Sequence, residues 1–141
     1  MIEMVLAENE LDILVDKVYK LLPDGGIVLL RGNLGSGKTT LVKSFAEVLH
    51  IDKNIVSSPT FSIMNRYGDD FFHYDVYNNG VNGLIENGLF ENFQENGHHF
   101  VEWGDEKLEN LLSEYGFSYI IISIDTEDTE KNRRLYKVLN A

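Results

Sequence analysis

Apolar residues recur at helical spacing at Leu11, Leu14, Val15, Val18, Leu21 and Leu22. They predict a helix over Glu8–Leu22 that Pro23 and the Gly25-Gly26 pair bring to an end. Ile2–Leu6 before it reads as a short strand. The continuous apolar run Ile27–Leu30 reads as a buried strand of parallel type. Helical spacing returns over Thr39–Leu49, with Leu41, Val42, Phe45, Ala46, Val48 and Leu49 on the side expected to be buried. Two aromatic-rich runs, Phe61–Tyr67 and Phe71–Tyr77, flank Gly68-Asp69-Asp70 and predict a hairpin. The Asn- and Gly-rich stretch Asn78–Asn96 predicts one short helix around Leu84–Phe93. Phe100–Trp103 reads as a strand, Glu106–Leu112 as a helix, Tyr119–Ile124 as a strand, Asp125–Asn132 as a polar turn and Leu135–Leu139 as a last strand.

Strands alternate with helices in the first half and hairpins enter later. The expected fold is α/β: a P-loop NTPase-type single domain over residues 1–141. Its central sheet is expected to be mixed but largely parallel, flanked by helices, with added antiparallel strands.

Composition narrows the functional classes. The formal net charge is -11, and nucleic acids are held mainly by Lys and Arg against phosphate. A stand-alone DNA or RNA binder is therefore not expected. The four arginines, Arg31, Arg66, Arg133 and Arg134, form no long basic stripe. There are no cysteines, which fits a reducing compartment. Met1–Leu6 carries Glu3 and lacks the positive start of a signal peptide. No apolar run approaches the roughly 20 residues needed to span a bilayer. A soluble, cytoplasmic protein without a membrane partner is expected.

The segment Gly32-Asn33-Leu34-Gly35-Ser36-Gly37-Lys38-Thr39 matches G-x-x-x-x-G-K-[ST] at every required position. It also sits between a predicted buried strand and a predicted amphipathic helix, the context this motif needs. Glycines let the backbone aim several N–H groups inward at an anion. The helix N-terminus adds its dipole and free amides. Lys38 supplies a cation for the β- and γ-phosphates, and Thr39 a hydroxyl for magnesium. ATP with Mg2+ is the expected ligand pair.

Magnesium needs an acidic partner, and two carboxylates end predicted strands: Asp75 and Glu102. Ser57-Ser58-Pro59-Thr60-Phe61 reads either as an ordinary proline turn or as a switch segment in which Thr60 senses phosphate or metal. His73, His98 and His99 show no metal-ligand spacing. Trp103 reads as core or as a wall of the site. A small-metabolite kinase would need more arginines around its transferring phosphate. A GTPase would need a guanine reader, and Asp52-Lys53-Asn54 has the wrong order. A compact ATPase serving a partner fits best. The kinase and a nucleotide-switched binding module without significant hydrolysis stay open as alternatives.

Four blocks occur in order: Gly32–Thr40, Ser58–Phe61, His73–Tyr77 (His-Tyr-Asp-Val-Tyr) and Val101–Trp103 (Val-Glu-Trp). With these the chain resembles the TsaE (YjeE) family over nearly its whole length. The resemblance implies a weak, partner-stimulated, Mg-dependent ATPase of tRNA threonylcarbamoyladenosine biosynthesis. Its partners would be TsaB and TsaD, with tRNA met only indirectly. It implies Thr39 and Glu102 as magnesium ligands, and Asp75 as a further magnesium-linked or water-orienting carboxylate. Lys38, Asp75 and Thr60 would be catalytic, with Thr60 in a switch-like loop. Asn33, Leu34, Gly35, Ser36, Gly37, Lys38, Thr39 and Thr40 would hold the phosphates, with Trp103 close by. The adenine would lie between Leu6–Glu10 and Arg133 or Arg134. Two positions depart from the family pattern: Asn33 stands where Asp is common, and Asn78 where Arg is common.

Overall fold

In the computed structural model, residues 1–33, 35–57, 63–77, 80–126 and 132–140 are described. Leu34, Ser58–Phe61 with Thr60, Asn78 and most of the polar turn after Asp125 lie outside them. One sheet of seven strands organises the chain, in the order β1-β7-β6-β2-β5-β4-β3. The strands are β1 (Ile2–Ala7), β2 (Gly25–Arg31), β3 (Met64–Tyr67), β4 (Phe71–Asp75), β5 (Gly97–Glu102), β6 (Tyr119–Asp125) and β7 (Arg133–Asn140). The helices are α1 (Leu11–Leu21), α2 (Lys38–Val48), α3 (Gly80–Glu86) and α4 (Glu106–Glu114).

The centre of the sheet, β6-β2-β5-β4, is parallel. Antiparallel strands complete both sides: β3 beside β4, and β7 with β1 beyond β6. The sheet is thus mixed as expected: a parallel centre to which antiparallel strands are added on both sides.

The parallel strands are buried on both faces, which explains their uninterrupted apolar runs. Val28 and Leu30 face α1 and α2 with Phe45, Phe71 and Phe100. Ile27 and Leu29 face the other layer with Tyr74, Val101, Leu108 and Leu112. Asp105 caps α4 by accepting from the Leu108 amide at 3.1 Å.

Three expectations need correction. Val48 and Leu49 are 49% and 38% exposed, because α2 ends at Val48 and its last turn borders an open cleft instead of the core. The helix expected around Leu84–Phe93 is α3, Gly80–Glu86, followed by a separate 3-10 turn, Phe90–Gln94. The Asn87-Gly88 pair parts them; Leu84 and Phe93 are buried in the core, and Leu89 and Phe90 pack against it. Finally, β4 stops at Asp75; Tyr77 lies beyond it and is 57% exposed.

Candidate functional site

The site lies at the carboxyl ends of the parallel strands, where ligands collect in open α/β sheets. β2 leads into the Gly32–Thr39 loop, β4 ends on Asp75 and β5 ends on Glu102. The register sets Leu30 opposite Glu102 and Asp75 opposite Glu102, so three separate sequence blocks meet at one edge.

The loop is shaped for an anion. Gly37 adopts φ 105°, a left-handed conformation that strains any residue with a Cβ. It hands the chain directly into α2 with no side-chain cap. The free amides and positive end of α2 therefore point at the loop. A Cβ on Gly32 would strike Ser36 Oγ at 2.3 Å. That hydroxyl is itself buried and has no partner among the described residues.

Lys38 begins α2 yet is only 5% exposed. Its Nζ donates to the Gly32 carbonyl at 2.7 Å and the Asn33 carbonyl at 3.1 Å. The same ammonium lies 3.7 Å from the centre of the Trp103 ring. Burial pushes its pKa down, while the charges of Glu102 and Asp75 pull it back up. An anion in the loop would relieve that desolvation.

Thr39 Oγ1 donates toward Glu102, at 3.0 Å from Oε1 and 2.9 Å from Oε2. Glu102 is 3% exposed. Asp75 accepts from the Tyr77 amide at 3.0 Å. Burial raises its pKa, and the nearby Glu102 charge raises it further, against the lowering effects of that amide, His73 and Lys38. The donors gathered here are oxygens, which suits a hard cation. Among the described residues no group of three His, Cys, Asp or Glu side chains could hold a metal by itself. A cation here would draw on the Thr39 hydroxyl and on ligand oxygens as well as on carboxylate.

Trp103 follows Glu102 with φ 68°, a conformation costing about 1–3 kcal/mol for a residue of this kind. Its amide donates to Leu30 O at 3.3 Å, and its ring packs on Tyr77 at 4.7 Å. The strained backbone brings the indole against Lys38.

Beside the loop a cleft of about 1140 Å³ runs along α2. Thr40, Lys43, Ser44 and Glu47 line its helix side, and Ala7, Glu8 and Arg134 its far side. The register that joins Leu6 to Arg134 and Ala7 to Arg133 builds that far wall from strands remote in sequence. Arg134 extends from the wall to the loop: a Cβ on Gly37 would lie 3.8 Å from its Cζ. Its Nε is buried without a partner among the described residues. Arg133 instead pairs with Glu10 at 3.0 Å.

The structure thus brings Lys38, Thr39, Glu102, Asp75 and Trp103 together with Gly35, Ser36 and Gly37. It puts Arg134 and Thr40 in the adjoining cleft and turns Arg133 toward Glu10. Sequence reasoning missed His73, whose Nε2 lies 2.5 Å from Glu102 Oε2. The available signal was its place two residues before Asp75, which puts both on one face of β4.

A family model described as "Threonylcarbamoyl adenosine biosynthesis protein TsaE" matches residues 5–135. The chain belongs to the TsaE family. Among curated relatives, all called tRNA threonylcarbamoyladenosine biosynthesis protein TsaE, that of Bacillus subtilis is 43% identical over 94 residues, covering 64% of this chain and 58% of its own. That of Aquifex aeolicus is 37% identical over 83 residues, 55% of this chain and 62% of its own. This chain thus spans about three fifths of the length of these TsaE relatives. The Treponema pallidum protein is 36% identical over 101 residues, 70% of this chain and 73% of its own. The crystal structure of Bacillus subtilis YdiB matches with a TM-score of 0.66 and 26% identity, over 99% of this chain and 84% of that one. The likeness extends the TsaE assignment from sequence to the P-loop-type fold.

Proposed function

We infer that this TsaE-family chain binds ATP with Mg2+ and hydrolyses it slowly in support of tRNA threonylcarbamoyladenosine formation, with TsaB and TsaD as its protein partners and tRNA met only through them. The observation that carries the reading is the direct pairing of the Thr39 hydroxyl with the buried Glu102 carboxylate, one residue after a Lys38 held in the phosphate loop. Mg2+, when bound, would supply positive charge to the phosphate oxygens. Lys38, the α2 N-terminus and Arg134 would hold the phosphates from the protein side. Thr39 and Glu102 would offer oxygens to the cation. Asp75, with a raised pKa and next in register to Glu102, would orient water. The cleft between α2 and the Ala7–Arg134 wall would take the nucleoside.

The distribution of arginines argues against a small-metabolite kinase. Arg31 is bound to Gly104 O and Glu109, Arg66 to its own turn and Glu95, and Arg133 to Glu10. Arg134 alone of the four reaches the loop. Missing charge of this kind costs roughly 10³–10⁵ in phosphoryl-transfer rate, so stimulation by a partner is expected. Phosphate release from ATP should be slow for the chain alone, faster with TsaB–TsaD, and lost in Lys38→Ala. Fast turnover unaffected by the partners, normal hydrolysis by Lys38→Ala, or transfer of labelled γ-phosphate to a metabolite would each defeat this reading.

A further inference from the structure

Thr39 lies almost equally close to both oxygens of Glu102, so its hydroxyl does not decide how the carboxylate is turned. His73 breaks the symmetry. It is fully buried, and its Nε2 sits 2.5 Å from Oε2. Its other ring nitrogen, Nδ1, is buried with no partner among the described residues. A buried N–H without an acceptor is costly, so the ring proton belongs on Nε2, where Glu102 accepts it. The sheet imposes this contact. Asp75 is aligned with Glu102, and His73, two residues earlier on the same face, is the diagonal neighbour across β4 and β5.

We propose that His73 is a positioning residue whose Nε2–H holds Glu102 by Oε2 and so fixes the carboxylate that, with the Thr39 hydroxyl, would serve a divalent cation bound with nucleotide. A hydroxyl can donate its one hydrogen to a carboxylate and still present lone pairs to a metal, so the Thr39–Glu102 pair survives cation binding. His73 holds the group that faces the cation, as partners of metal ligands commonly do. The proposal rests on the reading of Glu102 as a cation-side group given above.

The test measures Mn2+ affinity by electron paramagnetic resonance in the presence of ADP, and ADP affinity in EDTA by calorimetry. His73→Leu, which removes the donor, should weaken Mn2+ about 10–100-fold and leave ADP binding in EDTA within about twofold. His73→Gln, which keeps an N–H donor, should recover most of the Mn2+ affinity. Equal losses with and without the cation would mark His73 as structural only and overturn the proposal. Unchanged Mn2+ affinity in His73→Leu, or no recovery in His73→Gln, would overturn it equally. A measurement on the unsubstituted chain is independent of how the variants fold: ¹⁵N NMR should show His73 protonated at Nε2, and an Nδ1–H tautomer refutes the contact. Wild-type protein that binds ADP identically with Mn2+ and with EDTA would bring down the nucleotide–cation reading itself, and this proposal with it.

Discussion

β4 and β5 carry a buried polar pair on each of their faces, and the two pairs are finished differently. On the face toward α4, the Tyr74 hydroxyl donates to His99 Nδ1 at 2.7 Å, and His99 Nε2 donates to Glu95 O at 2.9 Å. Every polar atom of that chain is used, and Phe72 stacks on the imidazole at 4.3 Å. On the face toward α2, His73 and Glu102 meet under the phosphate loop, but His73 Nδ1, Ser36 Oγ and Arg134 Nε are buried there without partners among the described residues. Trp103 and Gly37 nearby hold left-handed backbone. A completed network specifies a core. An incomplete one beside left-handed backbone leaves polar groups that a ligand could satisfy, as the proposed function requires.

The contrast can be broken most forcefully at Glu102. Glu102→Gln keeps the shape and removes the charge. It should lower Mg-dependent ATP turnover about 10²–10³-fold while leaving a protein that unfolds cooperatively in urea. Loss of the folded state would show instead that the pair is scaffold like its counterpart. The opposite pattern is expected of Tyr74→Phe. Leaving His99 Nδ1 without its donor should cost about 1–3 kcal/mol in urea denaturation, with ADP affinity unchanged. A change in ADP affinity would mean that the two faces are coupled.

The smallest effect lies in pH dependence. Burial lowers the His99 pKa, so below its ordinary value of about 6.5 the unfolded chain takes up a proton that the folded chain resists. Stability should therefore fall as pH drops through that range, and His99→Gln should flatten the profile. Asp75 has the opposite sign. Its pKa is raised by burial, so just above the ordinary carboxylate range the folded chain holds the extra proton and stability falls as pH rises. Asp75→Asn should remove that component. Urea midpoints from pH 4 to 8 in about half-unit steps, taken as differences from wild type, read both.

Local signals carried most of the fold. The Ile27–Leu30 run, the glycine breaks and the helical spacing of Leu11–Val18 depend on neighbours a few residues apart, and the P-loop motif depends on eight consecutive positions. Val48 and Leu49 were misread because periodicity marks a helix face without saying what lies beside it. The pairing of His73 with Glu102 needed the β4–β5 register, which no single segment encodes. Arg134 at Gly37 needed to be seen where β7 passes the loop, and spacing along the chain says nothing of that. The shared blocks of the TsaE family supplied Glu102 and Asp75 as a set, where strand ends alone offered two candidates among many acids.

The pairing of β1 with β7 has a kinetic consequence. Joining Ala7 to Arg133 closes a loop between strands far apart in sequence, and such contacts carry a high entropic cost on the way to the native state. The Gly32–Thr39 loop and α2 are contiguous in sequence, whereas the far wall of the cleft exists only once that closure is made. A nucleotide bridging α2 and Arg134 would act as a clasp on that long-range seam. Hydrogen exchange in β1 and β7 should then slow when ADP is present, ahead of any change in β2 or β5.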